Sequence, residues 1–316
     1  MKHLHMNLRS LLIVLIAISV QSACSQPKAQ QITKEKYNNI SKEIKTFDYN
    51  PTYQIRFTAV NCTYEIYVND MLATFSFITG NSAGEQHADI PQYILGSGTQ
   101  EVMVKVFPKA IEDGRLQEKL TKAASFRARI VHGEYGVTAF DNFAEVANLK
   151  VPIEEGKTVA VYKMKFDAKV PYALAGWKNG TDLTKEDKTA LSREAIAINE
   201  KLANAFSKKD IPVIALMIYN REKEVAQAFF FKSGEEKSYD HGWEKLAKET
   251  NDLVSMKLAK DTDLRYLANG RVVALLQRSG ENRDFPAIEG ETEDSFVYYA
   301  LYLFRPKPGA PLEIIR

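Results

Sequence analysis

Few residues of this 316-residue chain have types and spacings that bear on chemistry. Gly80-Asn81-Ser82-Ala83-Gly84 fits G-x-S-x-G, in which a serine nucleophile sits on a strained turn between a strand and a helix. An alternating strand pattern at Phe75 and Phe77 precedes it, but Glu85 to Leu95 holds Pro91 and no helical stripe, so the match reads as a loop between strands. Past the first 24 residues the histidines are His87, His132 and His241, and no pair has the i,i+4 spacing of a helical zinc site. No metal site and no cofactor follow from them. His87, with Asp89, sits in a loop and is a candidate binding residue. Asp240-His241 reads as a helix cap and the residue after it. Glu289, Glu291, Glu293 and Asp294 cluster in a stretch from about 280 to 295; a glycosidase would need two such carboxylates on a rigid frame, so a solvated loop is expected. Among the aromatic residues Tyr172, Trp243, Tyr298, Tyr299 and Tyr302 are assigned to core faces. Trp177, in the Gly-rich stretch Ala175-Gly176-Trp177-Lys178-Asn179-Gly180, is the second candidate binding residue, as an interdomain plug or a ligand platform. No residue is assigned a catalytic role.

The cysteines are Cys24 and Cys62. Cys62 lies beside a strand pattern and reads as a small buried hydrophobe. Cys24 lies in Ser22-Ala23-Cys24-Ser25, which resembles a lipoprotein box, although Gln21 stands where that family usually carries Leu. Ahead of it come Lys2 and Arg9 with no acidic residue, then Leu11 to Val20, an apolar run of signal-peptide type. That run is shorter than the roughly 20 residues a membrane-spanning helix needs. The expectation is export to the periplasm or outer membrane, with the membrane as a partner through a lipid on Cys24; ordinary cleavage nearby is the alternative. Removal of Lys2 and Arg9 leaves 40 basic against 40 acidic residues. A formally neutral chain argues against nucleic acid as a partner, since that affinity rests on released phosphate counterions. Any protein or glycan partner is left open.

The elements that must position these residues fall into two groups. Residues 1–24 are assigned to the signal peptide and 25–50 to a polar linker with a faint helical stripe (Tyr37, Ile40, Ile44, Phe47). From 51 to 170 the period is two: Ile55, Phe57, Ala59; Tyr64, Ile66, Val68; Ala73, Phe75, Phe77; Val102, Val104, Val106; Phe126, Ala128, Ile130; and Ala160, Tyr162, Met164, Phe166. This predicts an all-β antiparallel sandwich, with a helix only near Leu116 to Ala124. A joint is placed at 171–184. From 185 to 316 an α+β domain is expected, helices followed by an antiparallel sheet. One helix carries the stripe Leu191, Ala195, Ile198, Leu202, Ala205, with Thr184 and Asp187 as a capping box. A second is capped by Asp210 with Pro212 in its first turn and buries Ile214, Met217, Ile218 and Val225. A third starts near Asp240. Asn269-Gly270 marks a hairpin. Phe296 to Phe304, apolar on both faces, is expected to be one central strand, and Leu312 to Ile315 an edge strand.

Glu65-Ile66-Tyr67-Val68-Asn69-Asp70, followed by Ile94-Leu95-Gly96-Ser97-Gly98-Thr99-Gln100-Glu101-Val102, resembles the galactose-binding-like jelly rolls found in exported glycan-active proteins. Asp70 replaces that family's Gly, and Gln100 stands near its Asn. The resemblance implies a fold and no sugar specificity. In element order, the C-terminal part is similar to the cone-shaped domains of the nuclear transport factor 2 type, which implies a pocket under a curved sheet and assigns no activity. The whole chain looks like exported bacterial proteins with this two-part layout. The function expected is a non-catalytic binding or protective envelope module, of which an immunity protein is one form. The alternatives are an enzyme with its pocket in the C-terminal part and a carbohydrate-binding accessory protein.

Overall fold

The computed structural model describes residues 32–76, 84–111, 115–231, 242–279 and 282–316. The apolar N-terminal run, Cys24, residues 80–83 of the G-x-S-x-G match, Asp240 and His241 lie outside the described residues.

The first helices are α1 (Lys34–Asn38) and α2 (Ile40–Glu43). Two short helices thus carry the Tyr37, Ile40, Ile44 stripe, and all three side chains are buried. The strands β1 (Pro51–Val60), β2 (Cys62–Val68), β3 (Met71–Ser76), β4 (Gln86–Asp89), β5 (Gly98–Pro108), β6 (Ser125–Glu134), β7 (Ala144–Val151) and β8 (Ala160–Ala168) follow. They form two antiparallel sheets in the orders β4-β1-β6-β7 and β3-β2-β5-β8, the expected sandwich. The alternating apolar residues of β1, β2, β5 and β6 face one another in its core; Ile55, Ile66, Val104 and Ile130 have no exposed surface. β4 and β7 add to this set. The helix expected near Leu116 to Ala124 does not form. Leu120 donates its N–H to Lys157 and accepts from Gly156, so the segment is tied to a distant loop instead of its own previous turn. At the turn between β2 and β3 Asn69 and Asp70 both have positive φ, and the Asn69 side chain donates to Gln100 Oε1 at 2.7 Å and to the Tyr93 carbonyl at 2.9 Å.

Beyond the joint, the helices α3 (Lys188–Ser207) and α4 (Ile211–Ala228) take the predicted places, and α5 spans Trp243–Asp252. The α3 cap differs from the expected box. Asp187 is itself the cap, accepting from Ala190 N at 2.8 Å, while Thr184 lies in a separate 3-10 turn held by Asp182. Asp210 caps α4 as expected, accepting from Val213 N. The strands β9 (Ser255–Leu258), β10 (Thr262–Leu267), β11 (Val272–Gln277), β12 (Ile288–Glu291), β13 (Phe296–Tyr299), β14 (Tyr302–Phe304) and β15 (Glu313–Ile314) form two further sheets, β10-β11-β14-β15 and β13-β12-β9. β10 and β11 are the hairpin expected at Asn269-Gly270, and β15 is the expected edge.

The single central strand expected from Phe296 to Phe304 is two strands. β13 pairs only with β12, β14 pairs with β11 and β15, and the chain crosses between the sheets at Ala300-Leu301. Phe296, expected inside, is 73% exposed at the outer end of β13. Part of the stretch from 280 to 295, expected as a loop, is β12, so Glu289 and Glu291 belong to a strand.

From Ile32 to Arg316 the chain packs as one unit. The core between the sandwich sheets runs on into Ala228, Phe230, Leu267, Val272 and Ile315. β2 is buried along its whole length because the C-terminal part covers its outer face. There, Arg265 of β10 donates to Glu65 Oε1 at 2.8 Å and to Asp284 at 2.6 Å, and Tyr67 donates to Glu65 Oε2 at 2.6 Å.

Candidate functional site

The positions Ile214, Ile218, Arg221 and Val225 recur at four, three and four residues, one face of α4. Three of them are apolar and the fourth is an arginine. That face turns Arg221 and Val225 into a cleft of about 600 Å³. β3 supplies one wall through Leu72 to Phe75, and the 3-10 turn Pro91–Tyr93 supplies Gln92 and Tyr93. The crossing from Tyr298 to Tyr302 forms another wall, where the expected central strand breaks, and Arg316 closes the set.

The lining combines two kinds of group. One is aromatic: the rings of Phe285 and Tyr298 lie 4.7 Å apart and those of Phe75 and Phe285 meet edge to face at 5.3 Å. The other is a pair of guanidinium groups, Arg221 and Arg316. Arg316 is 4% exposed; its Nε donates to the Gln92 carbonyl at 2.9 Å and its Nη1 to Glu224 Oε2 at 2.9 Å. Glu224 uses its other oxygen to accept from Gly176 N at 2.8 Å, which ties α4 to the joint. Burial lowers the pKa of Arg316, with Glu224 opposing the shift. Arg221 bonds Glu222 and the Tyr299 hydroxyl through Nη1. Burial works against the charge of Arg221, and Tyr299 and Glu222 outweigh it, so its pKa is raised. Burial raises the pKa of Tyr93, Tyr299 and Tyr302, so these phenols stay protonated at neutral pH.

Among the described residues, the buried side-chain polar atoms without a hydrogen-bond partner are Asn50 Oδ1, Gln92 Oε1, Thr181 Oγ1, Arg221 Nε and Arg316 Nη2. Gln92, Arg221 and Arg316 all line the cleft. An unpaired buried polar group costs about 1–3 kcal/mol, and more when charged, so this clustering marks a place where the fold leaves hydrogen-bonding capacity unused. The described lining contains no histidine or cysteine, and its one carboxylate, Asp284, is held by Arg265 at 2.6 Å. These groups can hold a ligand; they do not form an acid–base pair with a nucleophile. Arg221, Val225 and Tyr299 also wall an adjoining cavity of about 490 Å³ with Tyr37, Glu222 and Glu249.

The chain matches no family model, no curated protein and no solved structure.

The residues singled out in the sequence lie elsewhere or at the cleft's margin. His87 is exposed on β4, across from Arg56, with its ring 5.1 Å from Phe140. Trp177 is 5% exposed, and the Arg316 guanidinium sits over its ring at 5.2 Å, so it supports a cleft residue from behind. His132 is half-buried on β6 and bonds the Tyr49 hydroxyl at 2.9 Å. Glu289 accepts from Gln277 at 3.1 Å and pairs with Lys257 at 3.4 Å. Gly84 is followed by β4, a strand where a nucleophile elbow would need a helix. Cys62 is buried, its Sγ donates to the Ser125 carbonyl at 3.4 Å, and burial pushes its pKa up to about 11. The sequence assigns no role to Arg221, Arg316 or Gln92. The available signal was Arg221 inside an apolar helical stripe; Arg316 and Gln92 carried none.

Proposed function

We propose that the protein is an exported, lipid-anchored envelope protein that binds a small ligand, without converting it, in the cleft between β3, α4 and the β13–β14 crossing. One observation carries the binding reading: three of the unpaired buried polar atoms belong to residues lining one cleft of about 600 Å³. Concave sites of this size with a few convergent polar groups suit small ligands. The lining supplies hydrogen-bond donors and aromatic rings, and the single carboxylate among the described lining residues is already paired. Export and anchoring rest on Lys2, Arg9, the Leu11 to Val20 run and Cys24.

Ala300 lies in the cleft wall, so Ala300→Trp fills the space without removing a polar contact. Purified protein exposed to a small-molecule extract of cell envelopes is expected to retain a species seen by native mass spectrometry, and A300W to lose it. Equal retention by both proteins removes the cleft from the reading. Recovery of the species chemically changed makes the protein an enzyme instead. Anchoring is checked separately with labelled palmitate, which is expected on the wild type and not on Cys24→Ser; equal labelling would sink it.

A further inference from the structure

Resting on the cleft reading, the geometry points to an organic carboxylate as the ligand, its head group held by Arg221 and Arg316 and its apolar body along Phe75, Phe285 and Tyr298. Arg221 spends its Nη1 on Glu222 and Tyr299, which leaves its buried Nε without a partner among the described residues. Nε shares one edge of the planar guanidinium with Nη2, and two parallel N–H donors on such an edge match the two oxygens of a carboxylate. Arg316 spends Nε and Nη1 on backbone carbonyls and Glu224, which leaves Nη2. Two arginines lining one cleft, each with an unused donor, are poorly explained by folding alone. A buried donor left unpaired is a cost that only an acceptor from outside the described residues removes.

The charge balance selects a carboxylate over a phosphate. Glu222 already faces Arg221, and Glu224 already faces Arg316. A carboxylate adds one negative charge to this set, whereas a phosphate ester near neutral pH adds almost two and meets both glutamates. Gln92 Oε1, an unpaired acceptor on the same cleft, suits a hydroxyl on the ligand. On the same lining the rings of Phe75, Phe285 and Tyr298 offer faces and edges to an apolar or aromatic group.

3-Phenyllactate carries all three features and 3-phenyllactamide lacks only the charge, so the two are compared by calorimetry on the full chain at millimolar concentration. The acid is expected to bind at least about tenfold more tightly than the amide, the size of effect a bidentate charged contact gives. Arg221→Lys keeps the charge and loses the paired donors; it is expected to lose about tenfold in affinity for the acid and little for the amide. Arg316→Met strands Glu224, so its effect is read only alongside circular dichroism, and Arg221→Lys decides the matter if that protein fails to fold. Equal affinity for acid and amide, an acid affinity indifferent to Arg221→Lys, or no binding of the acid overturns the carboxylate assignment. The cleft reading is judged separately, since it falls only if A300W keeps the envelope species.

Discussion

His132 shows how one residue's surroundings set a pH response. Its Nε2 lies 2.9 Å from the Tyr49 hydroxyl and its ring 4.7 Å from that of Tyr53. Burial pulls the imidazole pKa below its ordinary value. The unfolded chain therefore takes up the proton first as pH falls below about 6.5. The contribution of His132 to stability is complete above that pH and is lost as the pH drops through the lower pKa of the folded state. The melting temperature of the wild type should fall between pH 7 and 5 by more than that of His132→Asn, with both measured in the same buffers. Parallel curves would remove His132 as a source. The sequence shows His132 just past the alternating Phe126, Ala128 and Ile130 and not the two tyrosines that desolvate it, because Tyr49 and Tyr53 reach it only through pairing of β1 with β6. Arg316 was hidden for the same reason: the residues that surround it come from the 3-10 turn at Gln92, from α4 and from the joint.

Elements were legible where burial follows a period. β1, β2, β5 and β6 alternate in sequence, β5 alternates in burial as well, and the α3 and α4 stripes fall on the sides that pack. β4 and β7 gave no such signal, since their residues are mostly exposed and have no reason to alternate. The β13–β14 break was illegible for the opposite reason. Apolar residues on both faces over nine positions fit one central strand as well as two strands in different sheets, and only the partners decide. The β10–β11 hairpin was legible through Asn269-Gly270, and it has a second constraint. Gly270 sits at φ +81°, and a Cβ there would meet Thr184 Cγ2 at 2.6 Å and Asp182 Oδ1 at 3.0 Å. Leu183 donates its N–H to the Gly270 carbonyl, so this turn pins the 3-10 turn that precedes α3. Gly270→Ala should cost about 1–2 kcal/mol, from the left-handed backbone together with the lost approach, read as a lower denaturant midpoint at unchanged slope. A loss of only a few tenths would mean that the turn relaxes freely.

For the whole molecule, the layout of the cores makes unfolding a test of how the sequence divides. The pattern changes from period two to helical near residue 171, yet the sandwich core takes in Phe230, Val272 and Ile315 from the far side of that change. The second core holds Tyr37, Ile218 and Leu303 together. The two tryptophans report on different cores. Trp177 belongs to the sandwich side, beneath Arg316, and Trp243 packs at the start of α5 with its ring 6.1 Å from that of Tyr37. Trp177→Phe and Trp243→Phe each leave one reporter. Because β2 is covered on both faces and the Glu65–Arg265 bond crosses between the parts, losing one part exposes buried charge and apolar surface on the other. Removing the partner of a buried charge typically costs several kcal/mol, a large share of the roughly 5–15 kcal/mol that holds a folded protein together. Urea midpoints from the two single-tryptophan proteins should therefore coincide, after correction for each substitution's own effect on the circular-dichroism midpoint. A Trp243 transition completed before Trp177 responds would show the helical part unfolding alone. The contacts across β2 would then be too weak to couple the cores, and the cleft between them would have walls that open independently.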